Sequence, residues 1–458
     1  MGKGNVLQTL IGLSAPAMLS MFFQNLYALA DTIFVSWLGT TELAALSLCI
    51  PLLFIGMALS KGVAVGTTAL MSHARGSGRE DRTTQVAGAL LPILAVVTAP
   101  LCLLAVPEIN MVFFDRFGAD AAVLAEVKKF MFWLALSFPV MAFAMTCEGV
   151  FLSYGDSKLP MKAMIAGNLL NLCLDPLLIF GCNMGIAGAS LSSLLGWLCS
   201  GSIMWITLKR RNLDHPIFSL TPQKMKVWKD MLFMGGPVSL AMLVMPLSNA
   251  GLNFILTPFG PAFVGSWMLS ANLEKMIVLP LYGLSCSLIP FAGFNLGAGN
   301  GQRIREGIKL AIKSCYMLLI PIGILFYLFA PQIIGLFKPG TEVMTLSSWA
   351  FRAALVGYWL MPVELIVIGL AQGIKRPQYT MFINATRLLL LRLPLAFIFA
   401  RLWGGKAIYI SHTASLLISG LISLFVLKRL LHLSDKGCQT SQQKTGRDTI
   451  TTSTFSKQ

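Results

Sequence analysis

The stretch PAMLSMFFQNLYALADTIFVSWLG, residues 16–39, has a counterpart in PVSLAMLVMPLSNAGLNFILTPFG, residues 237–260. Each is a largely apolar run that begins with proline and ends with glycine, and the two runs are 221 positions apart. Further pairs keep this separation or one of 218, namely Gly62 and Gly283, Gly76 and Gly297, Gly78 and Gly299, Gly155 and Gly373, and Pro176 and Pro394. Glycine and proline mark kinks, close approaches and reversals of helices. The doubled pattern therefore predicts a tandem repeat of one membrane architecture.

Composition places the chain in a membrane. Hydrophobic residues make up 56% of it, charged residues only 12%, and the mean hydropathy is +0.74. This leaves too little polar surface to cover a soluble globule of this length. We therefore expect an all-α polytopic membrane protein. Apolar runs of about twenty residues predict roughly twelve spans, with centres near Met21, Met57, Leu94, Val140, Asn171, Gly196, Leu243, Val278, Ile320, Met361, Leu391 and Leu417.

Positive charge is concentrated in alternate loops. The net charge is +16, and lysines and arginines crowd residues 75–82, 158–162, 209–229, 303–313 and 375–376, whereas the intervening loops hold few. By the positive-inside rule, both termini and the polar stretch 209–229 are expected on the cytoplasmic side. Orientation thus explains the charge, and we expect no nucleic-acid partner.

The repeat and the polar stretch also define the domains. They predict an N-lobe over residues 1–215 and a C-lobe over residues 216–433, each with six spans. Residues 434–458 are rich in Ser, Thr, Gln and Lys and are expected to form a disordered cytoplasmic tail. No cleavable signal peptide is expected, because Gly2, Lys3 and Gly4 lead directly into a full-length span.

Cysteine and histidine give no sign of an enzyme or a metal centre. The nine cysteines never fall in C-x-x-C spacing, and the four histidines are scattered along the chain. Gly76-Ser77-Gly78 lacks the lysine of a phosphate-binding loop, so ATP is not the indicated energy source. We therefore expect neither catalytic activity nor a bound cofactor.

Polar residues inside the apolar spans are the most informative ones. They share one helical face on each of three spans, with spacing i, i+3 and i+7: Gln24, Tyr27 and Asp31; Asn168, Asn171 and Asp175; and Ser190, Ser193 and Trp197. A carboxylate at mid-membrane costs about 2.5–3.5 kcal/mol on insertion scales. Two aspartates backed by amides and hydroxyls therefore require a shared polar interior, and the three faces can converge on one pocket.

The two aspartates favour an ion over simple helix packing. Asn168 or Ser190 alone is as readily explained as a hydrogen bond between helices. Asp31 and Asp175 differ, because an ionised acid needs a cation or a proton to offset its burial. The sequence does not distinguish between a bound cation and a proton.

Four segments together resemble the multidrug and toxic compound extrusion (MATE) transporters. They are QNLYALADTIFV at residues 24–35, GDSK at 155–158, NLCLDPL at 171–177 and NLGAG at 295–299. The resemblance extends to about Leu433. It implies two six-helix lobes related by a pseudo-twofold axis along the membrane normal, a cavity that opens alternately to each side, and export of amphipathic, often cationic, aromatic compounds in exchange for Na⁺ or H⁺. It also implies a bacterial inner-membrane protein, which we expect to be a monomer that contacts small-molecule substrates and membrane lipid.

The resemblance also implies roles for particular residues. Prokaryotic members hold the coupling cation on an aspartate of the first helix, an asparagine and an aspartate of the fifth, and a hydroxyl of the sixth. The matching positions are Asp31, Asn171, Asp175 and Ser193, with Tyr27 lining the site. These are the expected ligands if the ion is Na⁺. Pro16 matches a bend in the first helix, where a proline makes a bent and a straight form easier to interconvert.

Other charged and apolar residues point to the substrate. Lys61, Glu148, Glu274, Glu364 and Arg387 lie within spans, either as structural ion pairs or as cavity lining. If Lys61 and Arg387 face the cavity unpaired, an anionic or zwitterionic substrate becomes plausible, and the expectation of a cationic one is weakened. Further candidates for substrate binding are Gln24, Asn168, Met141, Met145 and Trp197, although ordinary packing explains any single Met or Trp as well.

The expected function is a cation-coupled antiporter for small amphipathic compounds. The alternative is a flippase for lipid or lipid-linked oligosaccharide, because related folds share the two-lobed arrangement. The repeat places Leu252 opposite Asp31 and Leu393 opposite Asp175. The second lobe therefore repeats the scaffold without the acid pair, and we expect ion coupling in the first lobe only.

Overall fold

Twelve helices long and apolar enough to span a membrane make up most of the chain. The computed structural model describes residues 1–114, 120–213 and 224–455. Within these ranges the spans are α1 (Val6–Ser36), α2 (Thr40–Gly76), α3 (Glu80–Ala105), α4 (Ala121–Ser153), α5 (Lys158–Gly181), α6 (Ile186–Arg210), α7 (Lys226–Phe259), α8 (Pro261–Gly297), α9 (Gly301–Leu328), α10 (Thr341–Gly373), α11 (Gln378–Trp403) and α12 (Ala407–Gln442). Every predicted centre lies inside one of them, so the expected fold class is confirmed.

Backbone conformation repeats between the two halves. The second residue after the end of α2 is matched by the second residue after the end of α8, since Gly78 has φ 69° and Gly299 has φ 73°. At the end of α4 the left-handed residue is Gly155, whereas after α10 it is Lys375. The conformational partner of Gly155 is thus Lys375 and not Gly373, which corrects the separation of 218 proposed for that pair.

Contacts divide the chain into two compact units, one of residues 16–239 and the other of residues 1–15 with 240–458. In the first unit, the core is a cluster of aliphatic and aromatic side chains from α2, α3, α4 and α6, such as Leu52, Ile93, Phe138 and Met204. The boundaries fall beside Pro16 and Pro237, the paired prolines of the repeat. The lobe boundary predicted at residues 215 and 216 lies outside the described residues.

The start of the chain belongs to the second unit because an arginine holds it there. The Arg303 guanidinium donates hydrogen bonds to the backbone oxygens of Met1, Lys3 and Gly4 at 3.0, 3.0 and 2.9 Å. A guanidinium can satisfy several carbonyls at once because it presents five N–H donors in one plane. The first residues are thereby tied to the start of α9.

The last helix continues beyond Ser434, where composition predicted a disordered tail. Ser434 and Cys438 are buried, Arg305 pairs with Asp435, and the Gln442 side chain donates to the Gly299 oxygen at 3.0 Å. These contacts offset the entropy that a polar segment would retain as a free tail. The helix extends to Phe455.

Candidate functional site

The candidate site lies in the first unit, where α1, α5 and α6 bring their polar faces together. Helices α5 and α6 approach closely because each presents a glycine to the other. A Cβ added at Gly196 would lie 2.8 Å from the backbone oxygen of Gly167 and 3.1 Å from Cβ of Asn171. Small residues of this kind let two membrane helices pack backbone to backbone. The close approach places the amide of Asn171 against the hydroxyls of α6.

Asn171 and Asp175 are linked to α6 through two serines. The Asn171 amide nitrogen donates to Ser192 Oγ at 3.1 Å and to Ser193 Oγ at 3.3 Å. Ser192 Oγ in turn donates to Asp175 Oδ1 through a short hydrogen bond. Asn171, Asp175 and Ser192 are all buried. One carboxylate oxygen of Asp175 is therefore held in place, and the other is left for a further partner.

Three buried oxygen acceptors of the site have no hydrogen-bond donor among the described residues. They are Asp31 Oδ1, Asn171 Oδ1 and Asp175 Oδ2. Asp31 and Asp175 also lie close enough for their charges to interact, and Tyr27 lies near both. Buried acceptors are normally satisfied, and an unpaired one costs about 1–3 kcal/mol. A cation or a proton supplies what such a set lacks, so the donor chemistry fits either ion.

Tyr27 closes one side of this site. It lines a small cavity together with Asn168, Asn171, Ser193, Trp197 and Ser200. The structure thus brings together residues from all three predicted polar faces. Ser190 is the exception, because its hydroxyl donates only to the Ala187 oxygen of its own helix, at 3.1 Å. Gln24, one turn before Tyr27, is half-buried.

Several predicted substrate residues are part of the core. Met141, Met145 and Trp197 are buried in the main hydrophobic cluster of the first unit. Ordinary packing accounts for the two methionines, while Trp197 also lines the small cavity beside Tyr27. A direct contact with substrate stays a prediction for these three residues.

The charged residues within spans form ion pairs. In the first unit, Lys61 Nζ lies 3.9 Å from Glu148 Oε2. In the second unit, Arg387 Nη1 lies 3.0 Å from Glu364 Oε1. Lys61 and Arg387 are therefore paired, so the condition under which the sequence made an anionic substrate plausible, that both face the cavity unpaired, is not met. These pairs hold opposite charges together at membrane depth, as their position requires.

The second unit replaces the acid pair with apolar packing. Leu252 is fully buried in a cluster with Leu256, Trp267 and Ala396, and Leu393 packs against that cluster. A Cβ added at Gly251 would lie 3.0 Å from Leu393. The positions opposite Asp31 and Asp175 thus meet in an apolar environment, where an ionised carboxylate would be costly.

Sequence reasoning missed two residues of these sites. Ser192, adjacent to the predicted Ser193, is the residue that contacts the Asp175 carboxylate. His412, set aside because the histidines are scattered in sequence, lies with Nε2 3.2 Å from Glu274 Oε2. The helical periodicity of α6 would have included Ser192 only if the predicted polar face of that helix had been wider. Nothing in the local sequence links residues as distant as 274 and 412.

Comparison with known proteins gives the same division into repeats. A family model described as MatE matches residues 16–177 and 237–398, two segments whose ends are both 221 positions apart. The FAD transporter of Shewanella oneidensis is 27% identical over 429 residues, which cover 92% of this chain and 94% of that protein. The multidrug export protein MepA of Staphylococcus aureus is 23% identical over 383 residues, or 81% of this chain and 82% of that protein.

A solved structure shares the fold. The Vibrio cholerae MATE transporter VcmN in the bent form matches with a TM-score of 0.87 at 23% identity, covering 94% of this chain and 98% of that one.

Proposed function

The chain belongs to the MatE family, whose model covers both of its repeats, and from this premise we propose that it is a secondary active antiporter. It exports small amphipathic compounds, and Na⁺ or H⁺ moves in the opposite direction by alternating access. One relative named as a multidrug export protein and another named as a probable multidrug resistance protein support the export of foreign compounds. The twelve apolar helices make it a multi-pass membrane protein. We further propose a bacterial inner-membrane location with both termini in the cytoplasm, and a monomer as the working unit.

The coupling proposal is carried by an acid pair in which each acid has an unpaired buried oxygen, next to a third unpaired oxygen on Asn171. Asp31 and Asp175 lie near each other, and neither forms an ion pair with a base among the described residues. Each of the other span-buried acids described above has a basic partner. An acid pair without a base is stable in a low-dielectric interior only when a cation or a proton reduces its charge.

Exchange of substrate for an ion requires a site that binds the ion in one conformation of the protein and releases it in the other. Loading of Asp31 and Asp175 neutralises the face that α1 presents to α5 and α6. Moving a two-state equilibrium from mostly one form to mostly the other takes about 5.5 kcal/mol of differential affinity, and two carboxylates at membrane depth can supply energies of that order. Pro16 gives α1 a hinge, because a proline removes one helical hydrogen bond and clashes with the preceding turn.

A second candidate function differs in the charge of the substrate. The FAD transporter of Shewanella oneidensis matches nearly the whole chain, and FAD is an aromatic compound with a negatively charged diphosphate. Two arginines, Arg387 and Arg392, lie at membrane depth in the second unit. Aromatic anions of this type are therefore a second candidate class of substrate, in addition to aromatic cations.

Purified protein in liposomes tests the antiport proposal. Efflux of ethidium, an aromatic cation, and of FAD is measured under a Na⁺ gradient and a pH gradient that are imposed separately. Efflux accelerated by either gradient supports coupling and identifies the ion. Transport that responds to neither gradient would overturn the proposal and favour a flippase for lipid or lipid-linked oligosaccharide.

A further inference from the structure

The second unit contains a group of five ionisable side chains at membrane depth, which the ion-coupling site does not use. We call it the arginine cluster: Glu274 on α8, Glu364 on α10, Arg387 and Arg392 on α11, and His412 on α12. Glu364, Arg392 and His412 are buried. Four different helices thus contribute a charged or titratable group to one place within the unit.

Each acid of the arginine cluster already has its partners. Glu364 is 1% exposed, accepts a hydrogen bond from Ser419 Oγ at 2.6 Å and pairs with Arg387 Nη1 at 3.0 Å. Glu274 pairs with His412 Nε2 at 3.2 Å. The two arginines offset the charges of the two glutamates, so this cluster differs from the pair of Asp31 and Asp175. A further cation has no unpaired acid to bind here.

The arginines, in contrast, keep unused donors. Arg392 donates through Nη2 to Asn249 Oδ1 at 3.0 Å, and its guanidinium carbon lies 4.5 Å from the centre of the Trp267 ring. The Nε groups of both Arg387 and Arg392 have no hydrogen-bond partner among the described residues, and neither nitrogen of His412 has one, although its Nε2 lies 3.2 Å from Glu274 Oε2. Buried donors without acceptors are as unfavourable as unpaired acceptors, and a phosphate or carboxylate satisfies several of them at once.

The net charge of the arginine cluster indicates that a proton accompanies a bound anion. The two arginines and the two glutamates cancel, so the cluster is neutral when His412 is neutral. A bound monoanion would leave one negative charge at membrane depth, and protonation of His412 would restore neutrality. The charged groups that face His412 are Glu274, Arg387 and Arg392. The outer members of the cluster are Glu274 and Arg387, whose side chains are 20% and 16% exposed.

We infer that the arginine cluster is a binding subsite for the phosphate or carboxylate of an aromatic substrate, and that His412 takes up a proton when the anion binds. Trp267 borders the cluster: its ring lies against Arg392 and forms an edge contact with His412 at 5.2 Å between ring centres. This inference rests on the proposed export function, because it names a substrate class for it. It concerns binding and does not depend on which ion drives transport.

Equilibrium dialysis of the purified full-length protein tests the subsite with matched coumarins. 7-Methoxycoumarin-4-acetic acid carries a carboxylate, 7-methoxy-4-methylcoumarin lacks it, and 4-methylumbelliferyl phosphate carries a phosphate instead. The test variant is Arg387→Gln combined with Glu364→Gln, which removes both charges of one pair and leaves no buried charge alone. The control is Arg401→Gln, an exposed arginine on the same helix that lies over Phe397 at 4.4 Å.

The expected result is at least a tenfold loss of affinity for the carboxylate and phosphate probes in the double variant. Binding of the neutral coumarin and of ethidium is expected to be unchanged, and Arg401→Gln is expected to behave as wild type. Loss of the carboxylate probe alone, or of the phosphate probe alone, would assign the subsite to that group. Equal affinity of the wild type for the neutral and anionic coumarins, or no loss in the double variant, would overturn the inference.

A pH series tests the role of His412. Between pH 6 and 8 the carboxylate of the acetic acid probe stays ionised, so any change in affinity reports on the protein. Wild type is expected to bind this probe about tenfold more weakly at pH 8 than at pH 6, and His412→Gln is expected to bind weakly at both. An unchanged pH dependence in His412→Gln would contradict proton uptake at this residue. Ion-coupled ethidium efflux in wild type and Asp31→Asn is independent of every outcome here, so failure of the antiport proposal can be told apart from failure of this inference.

Discussion

At the residue scale, Ser192 is the central hydrogen-bonding side chain of the candidate ion site. It accepts a hydrogen bond from Asn171 and donates one to Asp175, so it connects the two polar residues of α5 through α6. A hydrogen bond to a charged group contributes about 1.5–3 kcal/mol, and a buried carboxylate that loses its donor is left with the cost of desolvation. The serine therefore determines which oxygen of Asp175 remains available to an ion.

Replacing Ser192 by alanine is expected to reduce both ion-driven transport and stability. Asp175 Oδ1 would lose its buried donor, and we expect the variant to unfold with about 1–3 kcal/mol less free energy. The measurements are thermal unfolding in detergent and gradient-driven ethidium efflux from liposomes. Ser190→Ala is the control, since Ser190 bonds only within its own helix. Equal efflux in the two variants would show that Ser192 does not support the site.

At the element scale, the contact between α5 and α6 depends on the absence of side chains at two positions. Gly196 and Gly167 face each other, and the backbone oxygen of Gly167 occupies the space that a Cβ at Gly196 would need. A helix pair of this kind has no room for a larger residue. The separation of α5 and α6 therefore sets the position of Asn171 relative to the α6 hydroxyls.

Gly196→Ala is expected to push the two helices apart and impair the site. Overpacking of a filled contact costs about 1–3 kcal/mol, and we expect thermal stability and ion-driven efflux to fall together. Gly236→Ala on α7 is the matched control, because a Cβ there meets nothing within 4 Å. A Gly196→Ala protein with wild-type stability and efflux would contradict the close approach.

The loop between α4 and α5 gives a prediction about pH. Burial opposes ionisation of Asp156, but a hydrogen bond from Arg211 at 2.7 Å and the backbone N–H groups of Leu159 and Lys158, both at 3.1 Å, outweigh it, so the pKa of Asp156 lies below its ordinary value of 3.8. A carboxyl whose pKa is lowered on folding stabilises the protein above the unfolded pKa. This contribution is lost as the pH falls through the lower pKa of the folded state.

Asp156→Asn is therefore expected to be less stable than wild type at neutral pH, and the difference is expected to shrink and vanish below pH 3.8. Thermal unfolding of the two proteins in detergent, measured from pH 7 to pH 3, tests this. A difference that stays constant over the whole range would show that the charge of Asp156 contributes nothing.

The sequence predicted the membrane spans from composition and the repeat from the spacing of glycine and proline. Both predictions were possible because bilayer thickness and backbone hydrogen bonding leave few alternatives to a run of long helices. The polar faces of Asp31, Asn171 and Asp175 followed from helical periodicity. Their hydrogen-bond and ion-pair partners on other helices could not be predicted in this way. The roles of Ser192 and His412 became visible only in the structure. Pairing across helices depends on rotation and depth, which local sequence does not determine.

At the scale of the whole molecule, the two repeats share a backbone pattern but differ in chemistry. One carries the acid pair, and the other carries Leu252 and Leu393 at the corresponding positions, packed in an apolar cluster. Its own charges are gathered in the arginine cluster. We therefore propose that one scaffold serves an ion in the first unit and a different group in the second.

Substitution at the paired positions is expected to separate stability from coupling. Leu252→Ala removes a fully buried side chain, and we expect a loss of about 2–5 kcal/mol in the free energy of unfolding, with the response of efflux to the ion gradient retained. Asp31→Asn is expected to show the opposite pattern. Both variants are compared by thermal unfolding and by efflux under a gradient. A loss of gradient response in Leu252→Ala, at a temperature where it is folded, would argue against coupling in the first unit alone.

Ion movement driven by substrate tests the central claim most directly. Liposomes that contain the purified protein and no ion gradient receive ethidium on one side, and the movement of Na⁺ or H⁺ in the opposite direction is recorded. Wild type is expected to move one of these ions when ethidium is added, and Asp31→Asn and Asp175→Asn are expected to bind ethidium without moving any ion. Ion movement of wild-type size in both aspartate variants would contradict the assignment of the coupling site.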